Sequence, residues 1–325
     1  MLYPLTFHPV FMERVWGGCN LERLFDKRLP EGKRIGESWE IADRPEAISV
    51  VANGPLVGRD LRWLMQNHRA GILGSARDAG GRFPLLLKIL DADDDLSLQV
   101  HPPAAVARRL GGEPKTEMWY ITHTRPGARL FVGLRKGVTR PDFERRLSEG
   151  RVADCFHAVE TKPDDVMFLP SGRAHAIGGG NVLFEIQQNS DTTYRVFDWN
   201  RTGLDGRPRS LQIQESLACI DFEDQEPAAR HVVAPDVGDR RPTLTQIVDD
   251  PLFSVEVADA PTPSKFEIRN GTPEILAVVR GGVVLEAGGE RVNLRSGGFC
   301  LLPASLAHPR LQASEGTRFL RIHPG

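Results

Sequence analysis

The sequence contains few cysteines, and those present are far apart. Four are spread over the 325 residues, at Cys19, Cys155, Cys219 and Cys300, and no two of them form a CxxC pair. A disulfide-rich scaffold and a zinc site made of cysteines both need closely spaced cysteines, so both are excluded. We therefore expect four buried, reduced thiols in a cytoplasmic protein.

Long apolar runs and blocks of basic residues are also missing. No apolar run approaches the roughly 18 residues that a membrane-spanning helix needs, and the first residues lack the charged and apolar regions of a signal peptide. The net charge is −2, and Lys and Arg are not clustered along the chain. We expect a cytoplasmic monomer or homodimer that binds neither membranes nor nucleic acids. An anionic small-molecule ligand would need positive charge gathered in a pocket.

The chain does contain many short apolar segments separated by turns. Its 32 glycines and 24 prolines recur between runs such as VMFLPSG and VLFEIQQ, a pattern typical of strands in a β-sandwich or barrel. Helical spacing is best in three segments, residues 59–74, 104–111 and 139–152. We therefore predict a fold dominated by strands, with a few helices inserted in and before its first unit.

An internal repeat indicates two copies of one structural unit. DVMFLPSGRAH (165–175) resembles GFCLLPASLAH (298–308), and each has an apolar strand, a proline and a histidine five residues after that proline. Upstream of each copy a glutamate, Glu117 or Glu274, stands at the start of an apolar strand. The sequence therefore predicts two jelly-roll β-barrel units.

The boundary between the two units is predicted near residue 232. The linker, residues 221–243, is polar, contains proline and has no clear periodicity. A chain of 325 residues also exceeds the usual size of a single core. We predict a first domain over residues 1–232, with the helical insertions, and a second domain over residues 233–325.

Four side chains of the first copy form a ligand set for a metal ion. In LSLQVHP (96–102), Gln99 and His101 are two residues apart and project from the same face of a strand. Glu117 and His175 lie on further predicted strands of the same unit. Two imidazoles, a carboxylate and an amide oxygen suit a divalent transition metal such as Zn²⁺. We predict one ion held by these four side chains.

The second copy serves as an internal comparison. It keeps Glu274 and His308 but has no Gln-x-His pair. Two donors are too few for a metal site of this kind. We therefore assign the chemistry to the first domain, and we predict a structural role without a metal site for the second domain.

Seven motifs together resemble one enzyme family, type I phosphomannose isomerase in its short bacterial form. In chain order they are RVWGG (14–18), IGESWEI (35–41), LLLKIL (85–90), LSLQVHP (96–102), PKTEMWYI (114–121), FLPSGRAHAIG (168–178) and EIQQNSDTTYRVFDWNR (185–201). The C-terminal third resembles the family only in its cupin-like pattern. The resemblance implies a cupin fold for the two predicted units and one zinc ion per chain, bound by Gln99, His101, Glu117 and His175.

The resemblance also implies an activity and further site residues. The activity is interconversion of mannose 6-phosphate and fructose 6-phosphate, in which a proton moves between C2 and C1 through a cis-enediol. Arg195 corresponds to an essential arginine of the family, and Lys88 and Lys115 correspond to two lysines near the metal. By motif position, Trp16 and Glu185 are expected to line the substrate pocket.

Lys88 and Arg195 each admit a second interpretation. Lys88 lies in an apolar strand, where burial beside zinc would lower its pKa and make it a possible base. Alternatively, it pairs with one of Asp91–Asp95 or faces solvent. Arg195 either contacts the reacting oxygens or the phosphate, or it forms a surface ion pair with Asp191 or Asp198.

One segment departs from the family pattern. The family often has a His-Lys-Pro-Glu-like stretch before the ligand glutamate, whereas this chain reads Pro114-Lys115-Thr116-Glu117. An acid or base role for a histidine at position 114 therefore cannot operate here. Lys115 is left either as an acid–base group or as a phosphate ligand.

Other functional classes stay open at this point. His101, Glu117 and His175 match the two-histidine, one-carboxylate triad of Fe²⁺ oxygenases, an alternative that gives no role to Gln99, the two lysines or Arg195. A non-catalytic sugar-phosphate sensor with structural zinc would bind without turnover. A related isomerase acting on a different sugar phosphate is the third alternative.

Overall fold

Strands make up most of the regular structure. The computed structural model describes residues 2–234, 240–269 and 271–325. In its first stretch the strands are β1 (Phe7–His8), β2 (Val10–Gly18), β3 (Ile35–Ile41), β4 (Val50–Val51), β5 (Leu85–Ala92), β6 (Leu98–Val100), β7 (Glu117–Thr124), β8 (Arg129–Leu134), β9 (Phe156–Glu160), β10 (Asp165–Leu169), β11 (His175–Ile177), β12 (Asn181–Gln188), β13 (Tyr194–Phe197) and β14 (Arg230–His231). The later strands are β15 (Thr243–Asp250), β16 (Phe253–Ala260), β17 (Ser264–Phe266), β18 (Glu274–Arg280), β19 (Gly282–Ala287), β20 (Glu290–Arg295), β21 (Phe299–Leu302), β22 (Arg310–Ala313) and β23 (Thr317–Pro324). The predicted all-β class is confirmed.

Short helices connect some of these strands. They are α1 (Asn20–Phe25), α2 (Leu61–Leu73), α3 (Ala104–Leu110), α4 (Arg140–Ser148) and α5 (Ile213–Cys219), with 3₁₀ turns at Gly54–Leu56 and Val152–Cys155. The three predicted helical segments correspond to α2, α3 and α4. At the start of α4, the Thr139 hydroxyl accepts a hydrogen bond from the Asp142 N–H, as in a capping box. Within the described part of the chain, no helix is both long and apolar enough to cross a bilayer.

The strands of the first half form two large sheets that face each other. One sheet has the order β14-β10-β7-β12-β5-β2-β3, and the other has the order β13-β6-β11-β8-β9. Alternate residues of each strand point into the space between the sheets. There Leu90, Trp119 and Leu183 of the larger sheet meet Val132 and Ile177 of the smaller one. The two inner faces therefore enclose an apolar core.

The larger sheet is covered on its second face as well. Leu87 and Ile89 of β5 and Ile186 of β12 belong to the same apolar cluster as Val255 of the C-terminal half. A sheet covered on both faces has nearly continuous apolar strands, which explains the run LLLKIL. Because side chains alternate along β5, Lys88 points into the space between the two N-terminal sheets.

Helices α4 and α5 cover the outer face of the smaller sheet. Leu98 and Val100 of β6 pack in one apolar cluster with Phe143 of α4 and Leu217 of α5. Since these two strand residues face the helices, Gln99 between them faces the inner space. Alternate residues of LSLQVHP thus face the helices on one side of the strand and the space between the two sheets on the other.

The C-terminal half repeats the same strand pairing. Its two sheets have the orders β15-β16-β23-β18-β21 and β17-β22-β19-β20. Glu117 of β7 pairs with Leu169 of β10, and Glu274 of β18 pairs with Leu302 of β21. The two repeated segments therefore lie in matching places beside the two glutamates.

The predicted boundary near residue 232 stays a prediction. Val232 is buried in the apolar cluster that the two halves share. Residues 235–239, which belong to the predicted linker, lie outside the described residues. The ranges 1–232 and 233–325, like the closure of each half into a barrel, are therefore kept as proposals.

Three of the four cysteines are placed as expected. Cys155, Cys219 and Cys300 are buried free thiols. Cys19 is exposed, so the prediction of burial is wrong for this residue. It lies in the one-residue connection between the end of β2 and the start of α1 and not within a strand.

The apolar layer between the two halves should dominate stability. Replacing Leu87 by alanine removes a fully buried side chain from this layer, and we expect a loss of about 2–5 kcal/mol in the free energy of unfolding. Urea denaturation followed by circular dichroism measures it. The matched control is Leu244→Ala, at a strand residue that is 49% exposed, which should cost less than about 0.5 kcal/mol. Equal losses for the two variants would contradict the assignment of this core.

Candidate metal centre

A cavity of about 470 Å³ opens between the two N-terminal sheets. Cavities of roughly 300–1,000 Å³ are typical of small-molecule sites. Charged residues of both signs line it, among them Glu37, Lys88, Lys115, Glu185 and Arg195. A pocket with such a lining suits a polar, charged ligand.

Three buried side chains lie side by side next to this cavity. His101 Nε2 is 3.5 Å from Glu117 Oε2, and His175 Nε2 is 3.4 Å from Glu117 Oε1. No more than 2% of any of the three residues is exposed. The potential ligand atoms all lie within 4.8 Å of one another. The structure thus brings together three of the four predicted metal ligands.

Backbone carbonyls orient both imidazoles. His101 Nδ1 is 2.9 Å from the carbonyl oxygen of Thr192, and His175 Nδ1 is 2.9 Å from that of Arg173. A carbonyl can only accept, so each Nδ1 carries the proton and each Nε2 presents its lone pair towards Glu117. This is the arrangement in which protein imidazoles bind metal ions.

Burial and neighbouring charges set the ionisation of the cluster. Burial, and then His101, lower the pKa of His175 to about 3. Burial and the ammonium group of Lys115 lower the pKa of His101. Burial opposes a charge on Glu117, but Lys115 and His101 outweigh it and hold the pKa of this carboxyl well below its usual value. At neutral pH the cluster therefore offers two neutral imidazoles and a carboxylate.

These donors fit a divalent transition metal. His101 Nε2 and Glu117 Oε1 are buried and have no hydrogen-bond partner among the described residues. Buried polar atoms are costly unless another group binds them. Two nitrogen donors and one carboxylate also match the donor types of zinc sites that keep a position open for water or substrate.

Gln99 lies beside this cluster, paired across the sheet with His175. Its Nε2 is 3.3 Å from His175 Nε2, and its Oε1 accepts a hydrogen bond of 3.2 Å from the Ser97 hydroxyl. In this orientation the amide nitrogen faces the histidine, so ligation by Oε1 requires a half-turn of the amide. The structure therefore brings Gln99 to the cluster, and its role as a ligand stays a prediction.

Lys88 is buried among carboxylates. Its Nζ is 3.3 Å from Glu185 Oε1, 3.5 Å from Glu37 Oε2 and 3.8 Å from Asp191 Oδ1. Burial opposes its charge, but Glu37 and Glu185 outweigh burial and raise its pKa. These carboxylates, and none of Asp91–Asp95, are the partners of Lys88. They favour the ammonium form of Lys88 and raise its pKa, whereas burial beside zinc predicts a lowered pKa.

Lys115 and Glu185 connect the metal cluster to the cavity. Lys115 Nζ is 2.8 Å from Glu117 Oε2 and 4.0 Å from Glu185 Oε1. Glu185 Oε2 accepts a hydrogen bond of 3.1 Å from the indole N–H of Trp119. Both Lys115 and Glu185 line the cavity. They are therefore within reach of a ligand that also approaches the metal cluster.

Arg195 of β13 lines the cavity, and it pairs across the sheet with Gln99 of β6. It forms no ion pair with Asp191 or Asp198, and its Nε is buried without a hydrogen-bond partner among the described residues. The alternative of a surface ion pair is therefore wrong. Trp16 is 3% exposed, and it both lines the cavity and packs in the apolar core.

Sequence reasoning did not place six charged residues at the cavity, namely Glu13, Arg14, Glu37, Asp191, Asp205 and Arg209. Glu37 accepts hydrogen bonds of 2.8 Å from Arg14 Nε and 2.7 Å from Trp39 Nε1. The sequence does contain a sign that Glu37 is functional, because a carboxylate in the otherwise strand-like IGESWEI is unusual in a buried strand. The local sequence around Arg14 and Arg209 does not distinguish them from surface arginines.

Comparison with known proteins gives consistent matches. Residues 5–112 match the family model described as phosphomannose isomerase type I, catalytic domain. The chain is 41% identical over 220 residues to mannose-6-phosphate isomerase ManA of Bacillus subtilis, covering 67% of this chain and 68% of that one. It is 32% identical over 311 residues to the mannose-6-phosphate isomerase of Streptococcus mutans, covering 94% of each. The crystal structure of the mannose 6-phosphate isomerase from Bacillus subtilis is similar with a TM-score of 0.87 at 29% identity, covering 99% of this chain and 100% of that one.

The lowered histidine pKa values should make the metal-free protein acid-sensitive. Below the ordinary histidine pKa of 6.5, the unfolded chain binds a proton at His175 that the native protein, with a pKa of about 3, does not bind. The free energy of unfolding should therefore fall between pH 7 and pH 5, at up to about 1.4 kcal/mol per pH unit for each such histidine. Urea denaturation in the presence of a chelator measures it.

The matched variants are His175→Gln and His68→Gln, the second at an exposed histidine. We expect a shallower dependence on pH for His175→Gln and an unchanged one for His68→Gln. An unchanged dependence for His175→Gln would contradict the assigned cause.

Proposed function

Because the chain belongs to the type I phosphomannose isomerase family, we propose that it interconverts mannose 6-phosphate and fructose 6-phosphate. The observation that supports this most is the buried His101–Glu117–His175 cluster beside a cavity with cationic side chains. An Fe²⁺ oxygenase needs the triad alone and leaves Lys88, Lys115 and Arg195 without a role. An isomerase of a sugar phosphate uses all of them.

The proposed cofactor is one zinc ion per chain. His101, Glu117 and His175 would hold it, with Gln99 as a fourth ligand after rotation of its amide. Bound there, zinc would supply a Lewis acid that polarises the oxygens at C1 and C2 of the sugar. The neutral imidazoles and the ionised carboxylate described above are ready to bind it at neutral pH without first releasing protons.

Lys88 acts in this proposal as a fixed positive charge. Its raised pKa keeps the ammonium form, and the surrounding carboxylates of Glu37, Glu185 and Asp191 hold its Nζ in place. An ammonium group facing the cavity can donate a hydrogen bond to a substrate oxygen as negative charge develops on it. We therefore assign Lys88 to charge stabilisation through a donated hydrogen bond.

Proton transfer between C1 and C2 is assigned to the neighbouring groups. Lys115 and Glu185 lie on adjacent sides of the cavity wall, with Lys115 Nζ 4.0 Å from Glu185 Oε1. Glu185 lines the cavity, and its Oε1 has no hydrogen-bond partner among the described residues although Lys88 Nζ lies 3.3 Å away, so this oxygen can accept a proton from a bound substrate. One of these two groups would take the proton from C2 of mannose 6-phosphate, which leaves the cis-enediol. The group that then carries the proton would return it at C1, while the hydroxyl proton on O2 passes to O1.

The walls of the cavity also exclude water from the reacting groups of a bound substrate. Trp16 and Trp119 contribute apolar surface to its wall, beside the charged groups. Removing water strengthens each electrostatic interaction with the reacting oxygens. We further propose that the enzyme works in the cytoplasm on this small-molecule substrate, as a monomer or a homodimer.

Metal-dependent turnover tests the proposal. Purified protein is incubated with mannose 6-phosphate while fructose 6-phosphate is measured, before chelation, after chelation and after Zn²⁺ is restored. Turnover should disappear with the chelator and return with zinc. His175→Ala should lose both bound zinc and turnover, whereas His68→Ala, at an exposed histidine, should keep both. A folded, zinc-loaded protein without turnover would contradict the assigned reaction.

A further inference from the structure

We propose that Arg209, together with Arg195, binds the phosphate group of the substrate and thereby makes the site specific for a phosphorylated sugar. This inference rests on the proposed function, since it assigns one end of the same cavity. It singles out a residue from a loop outside the sheets. The cations that line the cavity differ in their ion pairs, and this difference supports the inference.

Five cationic side chains line the cavity, and they differ in how well they are neutralised; they are Arg14, Lys88, Lys115, Arg195 and Arg209. Arg14 binds Glu37 at 2.8 Å, and Lys115 is 2.8 Å from Glu117. Lys88 has three carboxylates within 4.0 Å. These three cations therefore have carboxylate partners within the protein, which largely neutralise their charge.

Arg195 and Arg209 do not have such partners. Arg195 forms no ion pair with a described residue within 4.0 Å, and its Nε is buried without a hydrogen-bond partner. Arg209 has only a long contact, 3.5 Å from its Nη1 to Asp198 Oδ1. The same Asp198 oxygen is 2.9 Å from Arg201. The Asp198 carboxylate is thus shared by Arg201 and Arg209. The guanidinium groups of Arg195 and Arg209, which line the cavity, have no carboxylate of their own among the described residues.

The charge of Arg195 also destabilises the charge of Arg209. Burial, and then the charge of Arg195, lower the pKa of Arg209 to about 10. Arg209 therefore stays positive at neutral pH, next to a second positive group. A dianion between them would remove this repulsion and supply the missing hydrogen-bond acceptors, and planar guanidinium groups match the geometry of phosphate oxygens.

The loop that carries Arg209 is built as a tight hairpin at the cavity mouth. Thr202 and Pro208 form an isolated bridge, and the Gly203 N–H donates a 2.7 Å hydrogen bond to the Arg207 carbonyl. Leu204 lines the cavity although 61% of it is exposed. This hairpin presents Arg209 inward and leaves an apolar side chain at the rim, where a bound sugar phosphate would cover it.

This placement orients the substrate. Lys115 and Gln99 mark the end of the cavity next to the metal cluster, so C1 and C2 belong there. The phosphate on C6 then lies towards the hairpin. Lys115 is excluded as the main phosphate ligand because its charge is already taken up by Glu117.

The test compares two substitutions in the same hairpin. Arg209→Met removes the proposed phosphate contact, and Arg207→Met is the matched control, since Arg207 is exposed and does not line the cavity. For Arg209→Met we expect KM for mannose 6-phosphate to rise about 10- to 100-fold, the usual loss for a hydrogen bond to a charged group, with kcat changed much less. Arg209→Lys should recover part of the loss. Arg207→Met should behave as the parent protein.

A binding measurement separates this inference from the proposed reaction. Calorimetric titration of the zinc-loaded protein with inorganic phosphate, and with mannose 6-phosphate, needs no turnover. We expect both affinities to fall in Arg209→Met and not in Arg207→Met, and the ratio of kcat/KM for mannose 6-phosphate to that for mannose to fall as well. If the parent protein binds phosphate through Arg209 but does not isomerise mannose 6-phosphate, the proposed reaction fails and this inference stands. Unchanged phosphate affinity in Arg209→Met, no phosphate binding by the parent, or an equal loss in Arg207→Met would overturn it.

Discussion

Charge buried inside a β-sandwich needs an opposite charge beside it, and this requirement organises the whole site. The inner wall carries an alternating series of groups, in which Glu37, Lys88, Glu185, Lys115 and Glu117 each lie within 4.0 Å of the next. The series contains three carboxylates and two ammonium groups, so it has an excess of one negative charge. It ends at the two neutral histidines, which is where a divalent cation is most favourable. Of the remaining cations of the cavity, Arg14 is bound by Glu37, so Arg195 and Arg209 are left for the ligand.

The second half of the chain shows what the same position becomes without this series. Glu274 lies in the place of Glu117, paired with the strand of the second repeat. Its carboxylate is bound by Arg321 through hydrogen bonds of 2.5 and 2.9 Å, and His308, the counterpart of His175 in the repeat, is exposed. In the second half an arginine therefore binds the glutamate carboxylate, whereas in the first half two histidines lie beside the corresponding carboxylate. The two halves share a strand pairing and differ in the chemistry placed on it.

The sequence alone predicted the parts of the site that depend on alternation within one strand. Gln99 and His101 project from one face because Leu98 and Val100 are needed on the other, and the Pro-x₄-His repeat located His175. The partners of Lys88 were not predictable in this way, because Glu37 and Glu185 come from β3 and β12 and meet it only through the register of the sheet. Arg209 was hidden for a related reason, since a hairpin outside the sheets carries no periodic signal. The exposure of Cys19 likewise depends on where one strand ends.

The proposed reaction depends on one zinc ion at the inner end of the cavity, held by His101, Glu117 and His175 with Gln99. The most direct measurement is X-ray diffraction from crystals of the zinc-loaded protein, with data collected on both sides of the zinc absorption edge. We expect one anomalous peak per chain at about 2.0–2.2 Å from His101 Nε2, His175 Nε2 and a Glu117 carboxylate oxygen, with Gln99 Oε1 turned towards it. A peak bound by other side chains, or no peak between these three residues in a protein that retains zinc, would contradict it.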